Sequence, residues 1–315
     1  MVSHPAWQRV MSYSAWDSLL SSIIALAQKT PFRGRGGYSS LPQERQVSAT
    51  PLDKAEAEAL DVERFFTFFT TSNVKSEIVG KSILDFGSGY GGRTLEYVRT
   101  CGAGRACGVE PFQICIDSGR ALAAKHSLSG RVEFQLCTQD KIPYRDEEFD
   151  AVISFDVLEH VSDPRVSMQE IMRVIKPGGK LYAVFPIYRG VLSHHLDYLT
   201  MVPALHLLFS PERILRVTNK HLDQRPDIVV SRHAGLGKHY ITGRPILPML
   251  NGMGLQDFKD AAQGWIERSF ELNGLADVAL GRTSIIARIA KSLTKMPPFF
   301  AELMIFNVAV ILERP

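Results

Sequence analysis

Apolar residues recur at helical spacing in two N-terminal stretches. Val10, Met11, Leu19, Leu20, Ile23 and Ile24 predict a helix from Trp7 to Gln28, and Leu52, Ala55, Ala59, Leu60, Phe65, Phe66 and Phe69 predict another from Pro51 to Thr70. Between them, Thr30 to Pro51 is rich in Gly, Pro, Ser and Arg and reads as loop. From residue 79 the pattern changes to short apolar runs alternating with amphipathic stretches. Strands are predicted at Ser82–Phe86, Arg105–Glu110, Val132–Cys137, Phe149–Phe155 and Lys180–Phe185. Helices are predicted at Gly92–Thr100, Gln113–His126 and Asp163–Ile175, the last stopped by Lys176-Pro-Gly-Gly179. Strands and helices alternating at this spacing require a parallel sheet with right-handed crossovers, an α/β architecture.

Residues 187–240 interrupt that rhythm with His194, His195, His206, His221, His233 and His239, with His160 just before. After Thr242 the pattern predicts a helix from Pro245 to Met253, a strand near Gln256–Ala262, helices from Gly281 to Lys295 and a last strand near Ile305–Leu312. No period of 20–50 residues repeats, which excludes a solenoid.

At 315 residues and 45% hydrophobic, the chain is long and apolar enough to bury a sizeable core. Its 36 basic and 33 acidic residues leave a net charge of +3, too balanced for the concentrated basic face of a nucleic-acid binder. The four cysteines (Cys101, Cys107, Cys115, Cys137) form no C-x-x-C pair and are expected to be reduced core residues. Leu19–Ala27 ends in Gln28-Lys29-Thr30-Pro31 without a small-residue cleavage site, and Phe299–Leu312 is too short to span a bilayer. A cytoplasmic protein without an integral membrane segment is expected.

Asp85-Phe-Gly87-Ser-Gly89-Tyr-Gly91-Gly92 is the sharpest chemical feature. Gly87, Gly89 and Gly92 fit the G-x-G-x-x-G of dinucleotide sites. Asp85, Gly87, Gly89 and Gly91 equally fit D-x-G-x-G-x-G. A pyrophosphate on a helix N-terminus wants bare amide donors and no adjacent carboxylate, whereas a ligand carrying an ammonium and a sulfonium would welcome Asp85. Glu110, at the end of the second strand, suits a ribose diol in either case.

These residues, with Glu110-Pro111, Ile142-Pro-Tyr144 before Phe149-Asp-Ala-Val152, Asp156-Val-Leu-Glu-His160 and Lys176-Pro-Gly-Gly179, resemble a class I S-adenosylmethionine-dependent methyltransferase over residues 82–186. The resemblance implies a Rossmann-like, mostly parallel sheet of seven strands, with an N-terminal helical segment and a helical insertion after strand five. On this layout residues 1–78 are an N-terminal helical lid and 79–186 the S-adenosylmethionine-binding core. Residues 187–242 are then a substrate-covering insertion and 243–315 the rest of the sheet with a helical insert.

Carried over by position, the resemblance implies that Gly87, Ser88, Gly89 and Gly91 form the turn against which the methionine end lies. It implies that Asp85 holds the ammonium, that Glu110 takes the ribose hydroxyls and that Pro111 or Phe112 packs on adenine. The adenine polar contact falls to Thr138, Gln139 or Asp140, since Thr138 stands where relatives carry an acidic residue. Phe155, Asp156 and His160 would lie at and beyond the tip of strand four. Some relatives with an acid-x-x-Glu-His sequence there hold a divalent metal and most do not. No metal is expected here, and Glu159 is read as a structural carboxylate.

The insertion should overhang the reacting methyl, because ligands of open α/β sheets sit beyond the carboxyl ends of the strands. That makes His194, His195 and His206 candidate general bases. The aromatic lid residues Trp7, Trp16, Phe65, Phe69, Tyr188, Tyr198 and Phe209 favour an apolar small-molecule acceptor over a nucleic acid or a protein. O-methylation in secondary metabolism is the leading expectation. C-methylation, with or without coupled cyclisation, a descendant that keeps the ligand without transferring methyl, and an NAD-dependent oxidoreductase are the rivals. The N-terminal segment can cover its own site or that of a neighbour in a homo-oligomer.

Overall fold

The structure is a computed structural model, and it describes residues 14–34, 50–138, 141–225, 235–274 and 298–315. Helix α1 (Ala15–Ala27) starts at Ser14, whose hydroxyl and backbone form a reciprocal cap with Asp17. Thr50 and Asp53 cap α2 (Pro51–Leu60) in the same way, with proline at its first position. The single helix expected over Pro51–Thr70 is broken at Asp61, and α3 (Val62–Thr67) and α4 (Val74–Glu77) follow.

The core then reads β1 (Ser82–Phe86), α5 (Gly92–Arg99), β2 (Arg105–Glu110), α6 (Gln113–Lys125), β3 (Val132–Leu136), β4 (Phe149–Phe155), α7 (Pro164–Val174) and β5 (Ile175–Phe185). After β5 come α8 (Leu205–Leu208), α9 (Pro211–Asp223) and a small antiparallel pair, β6 (Gly237–Lys238) and β7 (Pro245–Ile246). The chain closes with α10 (Leu255–Ala261), β8 (Ile266–Gly274), α11 (Pro298–Met304) and β9 (Ile305–Glu313).

The sheet has seven strands in the order β3-β2-β1-β4-β5-β9-β8, parallel from β3 to β5 and antiparallel where β9 joins β5 and β8. This is the Rossmann-like class I methyltransferase sheet the resemblance implied. Strand order reverses between β1 and β4, so the crevice for a ligand opens at their carboxyl ends. Phe65, Leu95, Phe134 and Tyr182 belong to the core on one face of the sheet; Phe149, Met168, Ile171 and Phe258 belong to that on the other.

The N-terminal segment is divided between two places. Helix α2 packs on α5 and α6, whereas Leu20 and Ile24 of α1 join a third core with Leu205, Ile214 and Val217 of the insertion. Asp17, fully buried, locks that contact: it pairs with Arg213 at 3.2 Å and Arg216 at 2.8 Å. Burial works to raise its carboxyl, but the bonds from Arg216 and Ser14 outweigh it and hold Asp17 at about 2.

Two expectations past Thr242 are corrected. Pro245–Met253 is not helical but a two-residue strand followed by turns, and Gln256–Ala262 is not a strand but helix α10. Phe258 and Ala261 of α10 are buried one turn apart, a spacing that suits a helix face. The sixth strand expected there is instead β8, whose partly exposed, polar-rich run does not show period-two alternation. The helices expected over Gly281–Lys295 and the first turns of the helix expected from Trp7 lie outside the described residues. Among the described residues, no helix is long and apolar enough to cross a membrane.

Seating α2 requires a bare backbone at Gly92, where an added Cβ would stand 1.9 Å from the Ala55 carbonyl oxygen. Gly92→Ala is expected to lower stability by about 1–3 kcal/mol, the usual cost of overpacking, in denaturant titration. An unchanged midpoint would contradict this packing.

Candidate functional site

The chain leaves β1 and enters α5 through Gly87–Gly91. The Gly87 and Ser88 amides both donate to the Val109 carbonyl at 3.0 Å, tying the turn to β2. Gly87 lies at φ +81°, in the left-handed region, with the Val157 side chain 2.3 Å from where a Cβ would be. The turn can therefore approach a ligand with backbone alone. Gly91, also left-handed, opens α5 without a side-chain cap of its own. Glu58 of α2 supplies one: Oε1 accepts from the Tyr90 amide at 3.0 Å and Oε2 from the Gly92 amide at 3.2 Å. Burial pushes its carboxyl up, opposed by Arg93 and these two amides.

Carboxylates surround this turn. Glu110, ending β2, accepts from the Gly89 amide at 3.3 Å, and burial raises it to about 7. Asp85 is 2% exposed and lies behind the turn, accepting from the Thr94 hydroxyl at 2.5 Å. Asp156, beyond β4 at φ +55°, is raised by burial to about 6 against the pull of Arg64 and Arg93. Arg93 is their common counter-charge, with Glu58, Asp85 and Asp156 all acting on its guanidinium. That guanidinium lies 5.3 Å from the Phe155 ring centroid and makes no hydrogen bond among the described residues.

A cavity of about 420 Å³ opens here, within the roughly 300–1,000 Å³ usual for small-molecule sites. Its polar wall is Arg93, Glu110, Asp156 and His160. Val109, Pro111, Phe112 and Cys137 form an apolar slot beside Glu110.

Of the residues expected from sequence, Gly87, Gly89, Glu110, Pro111, Phe155, Asp156 and His160 all line this cavity. Asp85, Ser88 and Gly91 build the turn but are not on the wall. Ser88 buries its hydroxyl, and Gly91 packs against Phe134. Thr138 is exposed, bridged to Lys141, and its neighbour Cys137 lines the slot instead. Gln139 and Asp140 lie outside the described residues.

The structure sets the histidine candidates apart from the cavity. His194 uses both ring nitrogens: Nδ1 accepts from the Leu196 amide and Nε2 donates to the Val202 carbonyl, each at 3.0 Å. His206 donates from Nε2 to the Tyr188 carbonyl at 2.8 Å, and burial together with His194 holds its pKa near about 4. His195 turns toward Glu159 and His160, with its ring 5.0 Å from that of His160.

Sequence reasoning missed Arg93 and Glu58. Arg93 carried a signal, since a cation in the first turn of a helix opposes the helix dipole and asks for a reason. Glu58 carried none, because its partners lie on a turn that only the docking of α2 brings near.

Residues 84–183 match the family described as a methyltransferase domain. A probable tocopherol O-methyltransferase of Oryza sativa subsp. japonica is 30% identical over 46% of this chain and 39% of its own. A ubiquinone/menaquinone biosynthesis C-methyltransferase of Geotalea daltonii is 29% identical over 47% of this chain and 65% of its own. An uncharacterized methyltransferase of Schizosaccharomyces pombe is 36% identical over 31% of this chain and 37% of its own. The chain thus matches only part of the length of each relative.

Because Glu58 caps α5 from another helix, Glu58→Ala should lower unfolding free energy by about 1 kcal/mol, as for lost N-caps. Thermal denaturation checks this, and an unaltered transition would show the cap to be dispensable.

Proposed function

We propose, from the match of residues 84–183 to a methyltransferase domain, that this chain is a class I S-adenosylmethionine-dependent enzyme that methylates an oxygen of an apolar small molecule. The observation that carries the reading is one continuous cavity joining the glycine turn and Glu110 to Asp156 and His160. S-Adenosylmethionine, when bound, supplies a methyl group made electrophilic by its sulfonium.

The residues present fit that ligand. The apolar slot of Val109, Pro111, Phe112 and Cys137 suits a flat purine, and the Glu110 carboxylate suits the two ribose hydroxyls. Arg93, lacking a hydrogen-bonded partner among the described residues, suits the methionine carboxylate. The negative surround of Glu58, Asp85 and Asp156 suits the ammonium and the sulfonium. Asp85 acts from behind the turn, through Thr94 and the charge of Arg93, rather than by contact.

Oxygen is favoured over carbon by the state of Phe155. A cation developing at carbon is stabilised by a free ring face. The Phe155 ring is already engaged by Arg93, at 5.3 Å from its centroid, and by Arg64, at 5.7 Å. Asp156 instead offers a proton acceptor on the cavity wall, with a pKa near the working pH that general-base catalysis prefers. That role passes to Asp156 from His194, whose ring nitrogens both bond backbone groups, and from His206, which does not line the cavity. Beyond alignment, worth up to roughly 7–11 kcal/mol in ideal cases, little else is demanded of the protein.

Release of S-adenosylhomocysteine with hydroxylated apolar acceptors is the test of transfer. Binding without turnover on any acceptor would make the chain a ligand-retaining protein instead.

A second expectation concerns Glu110. Its ionised form accepts the ribose hydroxyls, so S-adenosylhomocysteine should bind more tightly as pH rises from 6 to 8 through its value of about 7. Glu110→Gln should weaken binding at pH 8 by about tenfold, or about 1.4 kcal/mol, and flatten the pH profile in calorimetry. An unchanged affinity with the slope intact would remove Glu110 from the site.

A further inference from the structure

Glu159 is 4% exposed, and neither of its carboxylate oxygens has a hydrogen-bond partner among the described residues. A buried polar group left so costs roughly 1–3 kcal/mol or more, which asks what the carboxylate is kept for. Two imidazoles face it. His160 Nε2 lies 3.6 Å and His195 Nε2 3.8 Å from Glu159 Oε1, and one donor atom from each of the three residues falls within 4.8 Å of the others. These gaps are too wide for hydrogen bonds. They are close to the roughly 3–3.4 Å that separates two ligands sharing an ion at about 2.1 Å.

The surroundings fix the donors. His160 Nδ1 lies 2.6 Å from the Met249 carbonyl and must donate to it, which leaves the Nε2 lone pair toward Glu159. The Glu159 carbonyl accepts the Asn251 amide at 2.8 Å, and the Asn251 side chain donates to the Leu158 and Val161 carbonyls at 2.7 and 2.9 Å. Non-glycine residues in the left-handed region cluster at the same place: Asp156 at φ +55°, His195 at +53° and Met249 at +62°. Such backbone persists only where the surrounding structure holds it.

We propose that Glu159, His160 and His195 bind a divalent first-row transition metal, the ion that a set of one carboxylate and two imidazoles selects. The loop after β4 supplies two ligands and the insertion after β5 the third. This third ligand is what the Asp156-Val-Leu-Glu159-His160 sequence could not reveal, and it replaces the expectation of no metal. His160 also lines the main cavity, whereas Glu159 and His195 do not, so the ion would sit behind that wall, beside the space an acceptor oxygen would occupy. Only this last assignment rests on the methyltransferase reading; the ion site itself does not.

The test is titration of chelator-treated full-length protein with Co²⁺, followed by its visible absorption, and with Zn²⁺ by calorimetry, alongside S-adenosylhomocysteine. One ion per chain is expected. His195→Ala and Glu159→Gln should each weaken metal binding by at least about tenfold while S-adenosylhomocysteine affinity stays within about twofold. His195→Asn serves where Glu159→Gln does not fold. Absence of a Co²⁺ spectrum and of Zn²⁺ binding in the wild type, or binding unchanged in these variants, would overturn the site. Intact metal binding without S-adenosylhomocysteine binding would instead reject the methyltransferase reading alone.

Discussion

A shared positive charge, helped at Asp156 by Arg64, sits among the three carboxylates gathered at the glycine turn. Arg93 projects from the first turn of α5 with Glu58, Asp85 and Asp156 acting on it. Each of these acids comes from a different element: α2, the end of β1 and the end of β4. Burial pushes all three carboxyls up, and the guanidinium opposes that shift at each of them. The helix dipole opposes a cation at that position, so the cluster of acids offsets a local cost that α5 would otherwise bear. The cradle, the seat of α2 and the tip of β4 are coupled through this single residue.

A second constraint is backbone proximity. The turn presents bare backbone because Gly87 has Val157 packed where a side chain would be, and α2 reaches the turn because Gly92 leaves room for the Ala55 carbonyl. The segment that follows the insertion is tied to the same region by Asn251, which binds three backbone groups around Glu159, and the insertion itself is tied to α1 by the buried Asp17 with two arginines. The left-handed residues Asp156, His195 and Met249 come from three different segments: the loop after β4, the insertion and the chain beyond it.

Much of this was legible in the sequence from residue 82 to residue 185, where short apolar runs flanked by glycine and proline admit one reading and β1, β2 and β4 begin and end as expected. Legibility failed where periodicity is ambiguous. Seven residues such as Gln256–Ala262 fit a strand or two helical turns, and only the burial of Phe258 and Ala261 against the sheet decides. The cavity wall was readable where a backbone motif dictated it, at Gly87, Gly89 and Glu110. Of Thr138, Gln139 and Asp140, expected beside the cavity, Thr138 is exposed and its neighbour Cys137 lines the wall, while the other two lie outside the described residues. Residue type alone could not show that His194 and His206 each bring a ring nitrogen to a backbone carbonyl.

The central claim is that the carboxylate-lined turn takes a cationic amino-acid sulfonium and its product rather than a pyrophosphate. Calorimetric titration of the wild-type chain with S-adenosylhomocysteine and with NAD⁺ under identical conditions tests it most directly. One S-adenosylhomocysteine should bind per chain, more tightly than NAD⁺ by at least about 2.7 kcal/mol, or two orders of magnitude. Equal or tighter binding of NAD⁺, or no heat from either ligand, would contradict the account.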